Sequence, residues 1–170
     1  ISGATAGATC TATEPTVPAG YTARPIYALG DQRLFVLVRK EGRWQFGFAT
    51  PLDGASAATL IETGPGELWF GDSRGGPQRW TLDVANQKVL RKEVFGDRQG
   101  LEVDPQSGST LFEVDGQVHV VSGERGFRFA EPRFIPDAGP PFTLVDRPNE
   151  LVVEQTPLGT YAFTRRQLWL

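Results

Sequence analysis

The sequence predicts an all-β fold, an antiparallel meander of about four propeller-like repeats that forms a small four-bladed or partial propeller. Helical periodicity is nearly absent after residue 20, and the apolar segments are short and bounded by turn residues. These segments recur about every 40 residues, and many of the 20 glycines and 13 prolines lie in the turns between them. A β-sandwich or an open β-meander is the alternative architecture.

Each predicted repeat contains a short leading strand, a polar turn and a hairpin of two strands. The leading strands are Ile26–Leu29, Leu60–Ile61, Leu101–Val103 and Phe142–Val145. The first hairpin strands are Leu34–Val38, Leu68–Phe70, Leu111–Val114 and Leu151–Val153, whose starts lie 34, 43 and 40 residues apart. The second hairpin strands are Trp44–Phe48, Gln78–Leu82, Gln117–Val121 and Thr160–Phe163. Three further segments predict outer strands: Lys88–Val94, Gly126–Phe129 and Gln167–Leu170.

A period of about 40 residues with three or four strands is typical of propeller blades. One blade cannot bury both of its faces alone, so several must stack on one another. Strand alternation places Leu68 and Phe70 on one side of the second repeat and Trp69 on the other.

The composition predicts two regions, a flexible leader over residues 1–20 and a single all-β repeat domain over residues 21–170. The leader is rich in Ala, Thr and Gly and carries the lone thiol, Cys10. It lacks the basic and apolar regions of a signal peptide, and the chain begins at Ile1 rather than at Met. These features predict a processed protein with a periplasmic or extracellular location.

Charge and residue counts exclude several function classes. A net charge of −3 and a pI near 5.2 argue against nucleic-acid binding, and no apolar run approaches the length of a membrane span. One Cys and one His, His119, exclude a disulfide within the chain and a Cys/His zinc cage. His119 is expected between blades or at the surface. We expect no metal, no cofactor and no enzymatic activity, with dispersed acidic loop residues as the remaining catalytic alternative.

The second repeat contains a motif, Gly66-Glu67-Leu68-Trp69-Phe70-Gly71-Asp72-Ser73-Arg74-Gly75-Gly76, followed by Arg79-Trp80-Thr81-Leu82-Asp83. Over residues 66–83 it resembles the repeat of the two-component-regulator propellers, the periplasmic sensor domains of hybrid histidine kinases. Asp72 stands where that repeat has Thr, and Pro77-Gln78 replaces the aliphatic residue before Arg79. The resemblance implies a propeller fold and a sensory role outside the cytoplasm.

The sequence therefore predicts a non-enzymatic binding or interaction module, a sensor or an assembly component, that uses the loops of one rim. The predicted ligand-binding residues are Asp72, Arg74, Arg79 and Trp80, with Trp80 expected to be exposed. A carbohydrate-binding module that stacks glycans on exposed tryptophans is one alternative. The other is a structural subunit that joins a protein partner or a second copy by strand addition. Its predicted interface is Gln167, Leu168, Trp169 and Leu170.

Overall fold

The strands of the chain are arranged in antiparallel sheets. The computed structural model describes residues 24–30, 32–53, 57–72, 76–104, 106, 108–139, 142, 152–156, 159–163 and 168–169. The first sheet contains β1 (Ile26–Gly30), β2 (Arg33–Lys40) and β3 (Arg43–Pro51). The second contains β4 (Ala57–Gly64), β5 (Glu67–Asp72), β6 (Gln78–Asp83) and β7 (Lys88–Val94). The third contains β8 (Ser109–Val114), β9 (Gln117–Ser122), β10 (Arg125–Ala130) and β11 (Arg133–Pro136), and a C-terminal sheet contains β12 (Val152–Thr156), β13 (Gly159–Phe163) and β14 (Leu168–Trp169).

Every sheet is a meander in which strands adjacent in sequence pair with each other. The first strands of successive sheets contact one another: β1 contacts β4, β4 contacts β8, and β8 contacts β12. The predicted all-β class and the antiparallel pairing are confirmed. A closed ring of blades is not found among the residues that the structure describes.

The sheets are held together by apolar cores between them. The first core joins the first and second sheets, and its buried residues are Leu34, Val36, Phe48, Leu52, Leu68, Phe70, Trp80 and Leu82. The second core joins the second and third sheets, and its buried residues are Trp69, Phe95, Leu101, Leu111, Val118, Val120, Phe127, Phe129 and Phe134. Leu68 and Phe70 thus face the first sheet while Trp69 faces the third, as strand alternation predicts.

The third core lies between the third sheet and the C-terminal sheet. Phe112, Val121 and Phe142 are buried there, and Val153 of β12 packs against them. Strands β5, β6 and β9 are covered on both faces and contain no exposed residue, whereas the outer strand β7 is largely exposed. Stacking of sheets, rather than any single sheet, therefore supplies the buried apolar surface of this chain.

The third repeat differs from its prediction by one strand. Residues 101–103 are not a strand; instead Leu101 is buried in the second core, and its N–H donates to the carbonyl of Gly96. β8 is the first strand of the third sheet, and β10 is its third rather than its outermost strand. The outermost strand is β11, which the sequence analysis missed. In the fourth repeat Phe142 lies outside any strand, and residues 143–145 lie outside the described residues.

Candidate functional site

The described residues form a groove between the first and second sheets, at the rim where β1 begins and β4 and β6 end. One part of the groove is a cavity of about 400 Å³. Its apolar surface comes from Pro25, Tyr27, Pro65, Leu82, Val84, Ala85 and Leu90. Its charged side chains are Arg24, Glu62 and Asp83. Turns and strand ends thus surround an apolar floor with two carboxylates at its edge.

A second cavity of about 330 Å³ adjoins the first and shares Pro25, Val84 and Ala85 with it. This part is lined by Val38 and Gly47 of the first sheet and by two basic residues, Arg39 and Lys40. The two cavities together form one groove, which we call the rim groove. Glu62 and Asp83 lie with Arg24 in the first cavity, whereas the charged residues of the second cavity, Arg39 and Lys40, are all basic.

Two turns of the second sheet give the rim groove its shape. Gly66 has a positive φ of 74°, and a side chain there would come within 2.6 Å of the carbonyl oxygen of Leu82. The N–H of Leu82 donates to the Gly66 carbonyl at 2.7 Å, so the two turns are joined directly. In the second turn Asp83 accepts from the backbone and side-chain amides of Asn86, and these hydrogen bonds lower the pKa of Asp83.

Tyr27 places a buried hydroxyl at the wall of the rim groove. Among the described residues that hydroxyl has no hydrogen-bond partner of good geometry, although Glu62 and Gly66 lie beside it. Burial and the negative charge of Glu62 raise the pKa of Tyr27 to about 12. The tyrosine therefore keeps its proton throughout the physiological range.

We expect the free energy of unfolding of Tyr27→Phe to lie within about 1 kcal/mol of the wild-type value at neutral pH, because the hydroxyl that the substitution removes is buried without a good hydrogen-bond partner. In the wild type the folded state favours the protonated phenol of Tyr27. This preference stabilises the wild type below pH 10 and is lost as the pH rises from 10 towards 12, whereas Tyr27→Phe lacks it at every pH. Urea unfolding at neutral pH and between pH 10 and 12 measures both effects. An equal alkaline loss of stability in the two proteins would contradict the prediction.

Trp80 does not line the rim groove, and the prediction that it is exposed is wrong. The indole is completely buried in the first core and packs edge-to-face on Phe70 at 5.0 Å. Its Nε1 donates to Oε1 of Gln78, and the Lys92 ammonium lies 3.9 Å from the ring centre. A glycan-stacking role for Trp80 is therefore excluded by its burial.

Arg79 is buried on the opposite side of the same strand, facing the third sheet. Its guanidinium donates through Nε to Glu93 at 2.8 Å and through both terminal nitrogens to Glu131 at 2.8 and 2.9 Å. The same group lies over the rings of Trp69, Phe95 and Phe129. The hydrogen bonds to Glu131 raise the pKa of Arg79, and Arg79 in turn lowers the pKa of Glu131. Arg79 thus links the second sheet to the β10–β11 turn of the third.

Asp72 is also buried, at the contact between β5 and β8. Its N–H donates to Oγ of Ser109 at 3.3 Å, and that hydroxyl donates to the Asp72 carbonyl at 3.2 Å. Arg74 lies outside the described residues. The structure therefore does not bring Asp72, Arg79 and Trp80 together at a surface, because they belong to separate contacts between sheets.

His119 lies between the third sheet and the C-terminal sheet and is buried, in agreement with the expected inter-blade position. Its ring stacks on Phe112 at 5.6 Å, and its Nδ1 lies 3.2 Å from Oδ2 of Asp137. Burial lowers the pKa of His119, whereas Asp137 acts in the opposite direction. Asp137 could not be recognised from the sequence as the partner of His119, because the two residues are 18 positions apart and no local motif joins them.

The predicted C-terminal interface falls partly within the described residues. Leu168 and Trp169 form β14, which pairs with β13 at the edge of the C-terminal sheet. Gln167 and Leu170 lie outside the described residues. Strand addition at this edge stays a prediction.

Most of the rim groove was not predicted as a site from the sequence. One signal was present, because Gly64-Pro65-Gly66 is among the polar turns that lead into a hairpin strand, where rim loops were expected to bind. The contributions of Pro25 and Val84 come from the approach of two sheets, and no local pattern reports that approach.

Searches of the described residues give two further findings. They contain no group of three or more His, Cys, Asp or Glu side chains arranged to hold a metal ion. No helix within them has the length and the apolar character that crossing a membrane requires.

No model of a known protein family matches the chain, and no curated protein is detectably similar to it in sequence.

Proposed function

We propose that this chain is a non-enzymatic interaction module, built as a partial propeller, that binds a protein partner through the loops of one rim. The rim groove carries this proposal, because two turns of the second sheet meet the start of β1 and strands β2 and β3 there around an apolar floor. Sheets that stack through their faces, with their first strands in contact, support the propeller-like arrangement.

The groove suits a short extended peptide of the partner. Its two cavities share Pro25, Val84 and Ala85, so one peptide can contact both of them. Pro25, Tyr27 and Leu90 offer apolar contacts to peptide side chains, which supply most of the energy in such sites. The first cavity has two carboxylates and one arginine, whereas the second has only basic charged residues, so an acidic group of the peptide prefers the second cavity and sets the peptide's direction.

We place the module outside the cytoplasm, as a sensor or an assembly component, on the leader composition and on the motif at residues 66–83. Trp80, the residue on which the glycan-binding alternative chiefly depended, is buried in the first core and cannot stack on a glycan. The strand-addition alternative keeps its edge strand, β14, but the groove favours peptide binding because it combines a cavity with charged side chains of both signs.

A matched pair of variants tests the proposal. Leu90 and Val94 lie on the same strand, with side chains 57% and 61% exposed, but only Leu90 lines the groove. Peptides selected on the chain from a displayed library of random twelve-residue sequences are expected to bind Leu90→Lys at least about tenfold more weakly. They are expected to bind Val94→Lys as they bind the wild type. Failure to select any peptide, or equal losses in both variants, would contradict the proposed function.

A further inference from the structure

The first sheet has a second apolar surface, away from the rim groove, on the face that points away from the second sheet. Ile26 pairs with Leu37, and Leu37 pairs with Phe46, so the three side chains form one row across the sheet. Ala28, Phe35 and Trp44 share this side by strand alternation and register. We call these six residues the outer face. Phe46 is 63% exposed, and Ile26 and Trp44 are exposed as well.

The outer face has the same character as the faces that are buried elsewhere in this molecule. The opposite side of the first sheet packs Leu34, Val36 and Phe48 against the second sheet. Strands β5, β6 and β9 of the second and third sheets are likewise covered on both faces. Exposed apolar surface of this kind marks interaction sites in soluble proteins, and aromatic side chains are enriched at their centres. A further β-sheet is the element that would complete the stacking.

The charges around the outer face indicate what kind of sheet would bind. Register and strand alternation place Arg33 and Arg39 on the same side as the outer face and Lys40 and Arg43 on the opposite side, and strands β1, β2 and β3 contain no acidic residue. The whole chain nevertheless has a net charge of −3. A second copy docked through the same face would bring like charges together, which opposes association. The basic strands therefore favour a partner with carboxylates around its apolar surface.

We propose that the outer face is an interaction surface for a β-sheet of another protein, with an apolar packing face and acidic side chains around it. This surface shares only Arg39 with the lining of the rim groove, so it adds a second binding site to the module. Sheet-on-sheet packing supplies the apolar contact, as in the cores of this chain. The basic residues, Arg33 among them, attract and orient the acidic partner.

Two synthetic β-hairpins, each closed by a disulfide, test the proposal on the full chain. Both carry the same Val and Phe residues on one face, and they differ only in having Glu or Lys at the ends of their strands. Fluorescence anisotropy is expected to show that the Glu hairpin binds at least about tenfold more tightly than the Lys hairpin at low salt. That preference is expected to shrink as salt is added. Equal binding of the two hairpins, or binding of neither, would overturn the proposal.

A charge placed on the outer face provides the specific control. Phe46→Glu is expected to weaken binding of the Glu hairpin by at least about tenfold, whereas Val94→Glu, at a similarly exposed position of the second sheet, is expected to leave it unchanged. Because Phe46 is exposed, its replacement leaves the cores intact. Sedimentation of the full chain tests the other occupant. Concentration-dependent dimers that Phe46→Glu abolishes would assign the outer face to a second copy and overturn the proposal.

Discussion

Replacing Arg79 by methionine is expected to lower the free energy of unfolding by about 2 kcal/mol, because Glu93 then loses its buried cation and keeps only the exposed Arg91 as an ion-pair partner. The Arg79 side chain is 10% exposed and that of Glu93 is 21% exposed, so solvent cannot replace their hydrogen bond fully. Glu131 is 64% exposed and regains water when the arginine is lost, which keeps its own contribution small. Loss of the cation from the rings of Trp69, Phe95 and Phe129 adds to the effect.

Arg125 provides the matched control for this variant. It also pairs with a glutamate, Glu102, and its guanidinium also lies near an aromatic ring, that of Phe127. Both partners of this pair are exposed, at 57% and 72%, so Arg125→Met is expected to cost no more than about 0.5 kcal/mol. Urea unfolding monitored by tryptophan fluorescence compares the two variants. Similar losses for both would show that burial does not strengthen the Arg79 network.

The repeat was predictable because each strand has a local pattern. Short apolar segments separated by Gly, Pro and Asp identify strands and turns without knowledge of their partners. The strands of the third repeat were predicted one strand too early, because Leu101 has the apolar character of a strand residue but fills the second core from a loop. A buried loop residue and a strand residue have the same signature over three positions. Only the pairing of β8 with β9, and of β10 with β11, distinguishes them.

The position of Trp80 could not be predicted for a related reason. Alternation correctly separates Trp80 from Arg79 and would expose one of them in a sheet that has a solvated face. Strand β6 has no such face, because the first sheet covers Trp80 and the third covers Arg79. Which faces are covered depends on contacts between repeats, and sequence periodicity within a repeat carries no information on them.

The motif at residues 66–83 gains a structural explanation from these positions. Leu68, Phe70 and Trp80 fill the first core, while Trp69 fills the second and Arg79 bonds to the third sheet. The residues of the motif therefore hold a central sheet between two neighbours rather than form a ligand site. The motif also contains Gly76, where the backbone lies so close to the Phe95 carbonyl that a side chain would not fit.

Gly76→Ala is expected to destabilise the chain by about 3 kcal/mol, because the new methyl group would overlap the carbonyl oxygen of Phe95. That carbonyl has little freedom to move away. The N–H of Phe95 donates to the Pro77 carbonyl at 2.9 Å, and its ring stacks on Trp69 at 5.1 Å within the second core. A shift of Phe95 would therefore disturb the strand pairing and the aromatic packing together.

Gly96→Ala separates this clash from the general effect of replacing a glycine. Gly96 follows Phe95 directly, has extended backbone with φ of −159°, and would place its methyl group in open space. It is expected to change the free energy of unfolding by less than about 1 kcal/mol, with a stabilising direction because alanine restricts the unfolded chain. Urea midpoints give both values, and near-ultraviolet circular dichroism reports the packing around Trp69. If Gly76→Ala were as stable as Gly96→Ala, the close backbone approach at Phe95 would not limit the residue at position 76.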